Sequence, residues 1–438
     1  MSNVTTSWRL AAGLVLAALP PAATATVSDR QAAAMDVAAL IDAAPAGDSA
    51  TLEAALPAMH DPAGTALLSA RIAAERLDRA ASDRALDAWA ATRDMDPRHQ
   101  AIALAIGADT AFAAADYAAS ARAVVKWQAL SDAAHHAGEA TEMAQLLSIA
   151  KLLASEPRQS VIGGTPGTIP TTRDAASLVR GTVSINGKDQ SAVLDTGANL
   201  SVVSASAAKA LGLRMLDGAA SVATATSDVP TRLAIAERLT IAGVTLSNVV
   251  FLVLDDAQLS FPLPGGYRID AIIGFPVFRA LGRIRFDQKG GFAAGDAAGP
   301  IEGPADNLRM QDNDLYVLAR VNGIDAALHL DTGAGHSALS SRFAAAHPEM
   351  LAGSAQGSRQ IMGAGAVMRQ QGTATLAPAT IALGGRTATL PALAVVTTPP
   401  PDRPEERMGV LGQDVLSRFE SYAIDFTTMR FAFGAPGP

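Results

Sequence analysis

Apolar residues recur at helical spacing through the Ala- and Leu-rich stretch from residue 26 to 158, most clearly over Thr65–Leu77, Ala85–Ala91 and Ala118–Leu130. This pattern predicts an α-helical domain of several short antiparallel helices. Between Pro157 and Thr172 the periodicity stops. Gly163, Gly164, Pro166, Gly167 and Pro170 predict a linker over 159–172, because such a run sustains neither helix nor strand. Further on the period falls to two: short alternating segments of Val, Ile and Leu, separated by Gly and Pro, predict an all-β region.

The β region repeats itself. Gly187, in an Asn186-Gly187 pair suited to a tight hairpin, stands eight residues before Asp195, and Gly323 of Asn322-Gly323 stands eight before Asp331, an offset of 136. Ile272-Ile273-Gly274 and Phe286-Asp287 find counterparts in Val410-Leu411-Gly412 and Ile424-Asp425 at an offset of 138. One short insertion therefore separates two otherwise collinear copies. They are predicted as lobes over 173–298 and 307–438, joined by a connection at 299–306 that contains Gly and Pro.

Each copy runs an apolar strand into the same tetrapeptide. Ala192-Val193-Leu194 leads into Asp195-Thr196-Gly197-Ala198, and Leu328-His329-Leu330 into Asp331-Thr332-Gly333-Ala334; Ser201 and Ser337 follow at equal distance, ahead of a predicted helix. An acid on the turn after a buried strand is held rigidly, the glycine admits a second backbone, and the threonine hydroxyl is able to bond across. One such turn is an ordinary loop. Two related by duplication can bring their carboxyls together at a pseudo-twofold axis. Carboxyls about 3 Å apart share one proton rather than both ionising. The ionised member is then a base for water and the protonated member an acid for a carbonyl, which is the chemistry of amide hydrolysis without a metal or a covalent intermediate.

These paired turns, each followed by an apolar pair plus glycine and a short helix, resemble the retropepsin and pepsin superfamily of aspartic peptidases over residues 173–438. The resemblance implies a bilobal all-β acid-protease fold with Asp195 and Asp331 as the catalytic dyad. It implies that Thr196 and Thr332 tie the turns together, that Gly197 and Gly333 keep the floor open, and that Gly274 and Gly412 lie on strands threading behind. It also implies a peptide or protein substrate bound extended beneath a β-hairpin flap, with no cofactor. Gly363 and Gly365, within Met362–Ala366, suit a flap tip in the second copy, whereas Ser221–Pro230 in the first has no glycine, so one flap and two flaps both stand. Alanine follows the motif glycine in both copies, as in retropepsins. A hydroxyl there would stabilise the carboxylate, so the expected activity optimum is weakly acidic to neutral. With both aspartates in one chain, activity as a monomer is expected. The rival reading is a non-catalytic peptide-binding or scaffold protein that retains the fold.

Composition sets the surroundings of this chemistry. Arg9, the apolar run Leu10–Leu19 and the small residues Ala23-Thr24-Ala25 predict a signal peptide over 1–25, and so a periplasmic or secreted protein. That run is too short to span a membrane. The absence of cysteine excludes disulfides and thiolate sites. A net charge of -8, with no cluster of Lys and Arg, excludes a nucleic-acid partner. Within the helical domain, Ala113–Val125 resembles half of a tetratricopeptide-type hairpin, beside which a plain bundle stands equally; either offers a surface for a protein partner. Ser206 and Lys209 match a Ser-x-x-Lys pattern but lack its companion motifs. His135 and His136 are adjacent, which does not make a zinc pair, and read as solvated surface histidines. His329 has two readings: a packed core histidine, which is favoured, and a group acting on the dyad electrostatically.

Overall fold

The computed structural model describes residues 36–136, 138–223, 228–261, 266–354, 356–363, 366–399 and 405–437. Among them seven α-helices come first: α1 (Val37–Ala43), α2 (Ser49–Ala55), α3 (Pro62–Glu75), α4 (Arg79–Thr92), α5 (Pro97–Ala113), α6 (Tyr117–Gln128) and α7 (Glu139–Leu153). From α1 to α6 each begins at an aspartate, Asp36, Asp48, Asp61, Asp78, Asp96 and Asp116 in turn, whose carboxylate accepts N–H groups of the first turn. This satisfies donors that the helix leaves free and sets a negative charge at the positive end of its dipole. No helix among the described residues is long and apolar enough to cross a membrane. The segment read as a signal peptide lies outside them.

The expected linker is corrected. Ser160–Gly164 and Thr168–Arg173 are strands, the first paired with Val244–Leu254 and the second with Gly291–Ala294 and Val179–Ile185. The glycines mark a bulge rather than a break: the register slips between Val161 and Gly163, and Gly163 and Gly164 take φ of 153° and 97°.

The first lobe contains β1 (Val179–Ile185), β2 (Lys188–Leu194), β3 (Ser201–Ser204), β4 (Ala220–Ala223), β5 (Asp228–Ile241), β6 (Val244–Leu254) and β7 (Ala271–Ile273). Pairing runs β1-β2-β7-β3-β6-β5 and back to β1, which closes a six-stranded barrel. Side chains alternate across its wall: Leu194, Val203, Phe251, Val253 and Ile273 fill the core, while Val193, Val202, Val250, Leu252 and Ile272 face outward into separate apolar clusters. The second lobe repeats the order with β8 (Asp314–Val321), β9 (Ile324–Leu330), β10 (Ala338–Leu339), β11 (Gly357–Gly363), β12 (Ala366–Leu376), β13 (Ala379–Leu383), β14 (Arg386–Leu390), β15 (Leu393–Val396) and β16 (Gly409–Leu411). The long β5–β6 hairpin of the first copy is divided here. β13 pairs with β8 while β12 pairs with β15, and the sheet remains a half-barrel.

A shared antiparallel sheet joins the lobes. Arg283–Asp287 pairs with Ser421–Asp425 in a register that sets Arg285 opposite Ala423, its counterpart at the 138-residue offset. The pairing is symmetric about that point, so the pseudo-twofold axis passes through it.

The helices pack on both lobes. Phe112, Tyr117, Val124, Trp127, Met143, Leu147 and Leu153 share one buried cluster with Leu200, Val202, Leu233, Val250, Leu252 and Leu254 of the first lobe. Contacts towards the second lobe combine a small apolar cluster of Ala46 with Tyr316 and Ala327 and a set of polar bonds. Arg309, only 2% exposed, donates to Ser49 and pairs with Glu53 at 3.1 Å, Arg76 pairs with Asp306 at 2.6 Å, and the Gly47 N–H donates to Gln311 at 2.9 Å. The histidines read as solvated are also corrected: His135 and His136 are half-buried, and the His135 ring stacks on Trp127 with centroids 3.7 Å apart. The rim of the helix cluster draws the imidazole in because its flat face offers apolar area to the indole.

Candidate active site

Each aspartate follows a strand locked between neighbours. β7 runs parallel to β2 and β16 parallel to β9, with Ile273 beside Leu194 and Leu411 beside Leu330. The ladder continues one residue further, where the Asp195 N–H donates to the Ile273 carbonyl at 3.0 Å and the Asp331 N–H to Leu411 at 3.1 Å. Gly274 and Gly412 lie behind the turns. A Cβ on Gly274 would stand 2.6 Å from the Ala198 carbonyl oxygen, and one on Gly412 2.7 Å from that of Ala334, so neither position has room for a side chain. Their N–H groups donate to the hydroxyls of Ser201 at 3.1 Å and Ser337 at 2.9 Å. That role for the repeated serines was not visible in their spacing.

The two turns interlock through buried threonines. Thr196 Oγ1 donates to the Leu330 carbonyl at 2.6 Å and Thr332 Oγ1 to that of Leu194 at 2.8 Å. Each oxygen also accepts the other threonine's N–H, at 2.9 Å from Thr196 and 3.2 Å from Thr332. Thr332→Val would strand the Thr196 N–H and the Leu194 carbonyl in a dry interface, at about 1–3 kcal/mol for each unsatisfied group. A lower Tm in thermal unfolding is the expected result, with Thr332→Ser, which keeps the hydroxyl, recovering most of the loss.

The carboxyls meet at this junction. The Gly333 N–H donates both to Asp331 Oδ1 at 2.8 Å and to Asp195 Oδ1 at 3.1 Å, and the Gly197 N–H donates to Asp195 Oδ1 at 2.8 Å. A Cβ on Gly197 would lie 2.6 Å from Asp331 Cγ, and one on Gly333 would strike the Asp195 carboxylate. Any side chain at either glycine would drive the aspartates apart. Both aspartates are half-buried as residues. Burial first, and the neighbouring Asp195 second, push Asp331 up to about 7. Burial also raises Asp195, but the N–H groups of Gly197 and Gly333 and a hydrogen bond from Asp331 favour its charge. Both carboxyls are thus biased towards holding one proton between them, with Asp331 the favoured holder.

Residues 181–277 and 317–415 each match a family model described as aspartyl protease. These two segments belong to the aspartyl protease family. Each match takes in one Asp-Thr-Gly-Ala turn and the glycine strand behind it, so the duplication read from the sequence is a duplication of aspartyl protease units. No curated protein matches the chain.

Both aspartyl protease units carry a hairpin at the position considered for a flap. In the second, β11 pairs with β12 from Gly357 opposite Thr373 to Gly363 opposite Ala366; Gly365 lies outside the described residues. In the first, β4 pairs with β5 from Ala220 opposite Thr231 to Ala223 opposite Asp228, without a glycine in its strands. Sequence reasoning missed two polar side chains at the floor. Gln413 is buried and donates to the Thr332 carbonyl at 2.7 Å, and the Asn199 amide, with its nitrogen assigned to the side where only acceptors lie, donates to the Asn313 carbonyl and to Asp314 Oδ1, each at 2.9 Å. Gln413 stands where the first copy has Phe275, so aligning the copies beyond their shared residues would have exposed it.

Proposed function

We propose that the chain is an aspartic endopeptidase that hydrolyses peptide bonds with a water held between Asp195 and Asp331. The observation that carries this reading is the one Gly333 N–H bonded to both carboxyls, which supports their sharing a proton. Asp195 removes a proton from water as its oxygen attacks the carbonyl carbon, and Asp331 gives its proton to the carbonyl oxygen. One hydroxyl of the tetrahedral diol then returns a proton to Asp331 as the C–N bond breaks. The proton held by Asp195 passes to the leaving amine, which restores the starting state. The interlocked threonines hold this geometry, an extended peptide suits the strand edges around it, and one chain supplies both carboxyls, so a monomer suffices. The segment over 1–25 supports action in the periplasm or outside the cell.

The rate requires a proton on Asp331 and none on Asp195. It should therefore fall as pH rises through about 7, where Asp331 loses its proton, and fall again on the acid side as Asp195 gains one. The test is cleavage of a diverse peptide library by the purified chain from acid to alkaline pH, with and without pepstatin. A maximum in the weakly acidic to neutral range is expected. One deep in the acid range contradicts the raised Asp331, and peptide binding without any cleavage would favour the non-catalytic reading.

A further inference from the structure

Beside Asp195 the outward face of the first lobe is apolar. Leu178, Val193 and Ile269 form one buried cluster, with Ile272 packed against it. At the offsets that define the duplication, 136 before the insertion and 138 after it, their counterparts are Asp314, His329 and Arg407. The second lobe thus sets an acid, an imidazole and a guanidinium beside Asp331, where the first has three hydrocarbon side chains. These groups also meet in space: Arg407 pairs with Asp314, and His329 Nε2 lies 3.6 Å from Asp314 Oδ1. Asn199, immediately after the first motif, donates to the same carboxylate. Asp314 and His329 are each 4% exposed, and neither ring nitrogen of His329 has a hydrogen-bond partner among the described residues. A histidine kept for packing alone would leave both nitrogens stranded at a cost, although the first copy fills the same place with valine.

We propose that Asp314, His329 and Arg407 form a one-sided support for the dyad, in which His329 acts through Asp331 as a positioning residue and the Asp314–Arg407 pair sets how much charge the imidazole carries. This rests on the aspartic peptidase reading. The titratable and charged groups facing His329 are Asp314 and Tyr316 from β8, Arg407 from the segment before β16, and Asp331 at the end of its own strand. Burial holds the imidazole below its ordinary range, Asp314 and Asp331 draw it up, and Arg407 pushes it down. In return His329 favours the ionised form of Asp331, opposing the burial and the Asp195 charge that raise it.

The test uses the substitutions that the first copy already accommodates. His329→Val removes the group that favours ionised Asp331, so the alkaline limb of kcat/KM should move to higher pH. Arg407→Ile lets the imidazole charge more readily, so the limb should move to lower pH; Arg407→Lys, which keeps the cation, should stay near wild type. Just above the wild-type limb, the first variant should retain several-fold more of its maximal rate than wild type, and Arg407→Ile several-fold less. A structural role would lower rates without moving the limb, and limbs that stay fixed or move together overturn the proposal. The histidine NMR titration of the full chain gives a readout independent of turnover, with the His329 signal identified by its loss in His329→Val. Its midpoint should rise in Arg407→Ile and fall in Asp331→Asn. An unmoved midpoint overturns the proposal, whereas shifts in a chain that cleaves no peptide would support the electrostatic link and sink the peptidase reading instead.

Discussion

Asp195→Asn and Asp331→Asn are each expected to lower kcat for peptide cleavage by about 10²–10⁴-fold or more, the range that a positioned acid or base contributes. The double variant should be little worse than either single one, because the two carboxyls act as a unit. Folding should survive, since the asparagine oxygen can still accept the Gly197 and Gly333 N–H groups that now reach Oδ1. Equal Tm values and retained peptide binding, measured beside the rates, would separate lost chemistry from lost structure. A variant with full activity would remove that aspartate from the mechanism.

The second large effect is expected from removing the helices. A chain beginning at Gln159 would present Leu200, Val202, Leu233, Val250, Leu252 and Leu254 to water, side chains whose burial is worth about 1.5–3 kcal/mol each. It would also leave Arg309 without Ser49 and Glu53. Aggregation in sedimentation, together with loss of cleavage, is the expected outcome. A soluble, fully active truncated protein would instead make the helices an accessory surface available to a partner.

The helical stretches at Thr65–Leu77, Ala85–Ala91 and Ala118–Leu130 coincide with α3, α4 and α6, because periodic burial writes itself into the order of residues. The capping aspartates, two of them followed directly by Pro62 and Pro97, carried a start signal that periodicity alone does not use. The junction of the turns was legible for a different reason: a repeated motif ties residues 136 apart to equivalent positions without any knowledge of the path between them. The linker was misread because composition counts glycines and prolines, whereas a bulge needs them only at particular φ. The docking of the helices was hidden in β3, where Ser201-Val202-Val203-Ser204 is buried on both faces and shows no alternation to betray an outside partner. Asn199 meeting Asp314 has no local signal at all. The asymmetry around Asp331 is visible only when the two copies are compared at positions where they differ.

The central pair of the shared sheet carries a consequence of its own. In a dimer of identical subunits every substitution occurs twice, so an arginine at this position would face another arginine across the axis, and like charges set directly opposite repel. One continuous chain lifts that restriction, because each half is inherited as separate codons. Arg285 faces only Ala423, and its guanidinium reaches the Ala298 and Pro300 carbonyls at 2.6 and 2.7 Å. The central position thus carries a clasp on the chain that leads from one lobe to the other, a device that a symmetric pair could not place on one side alone.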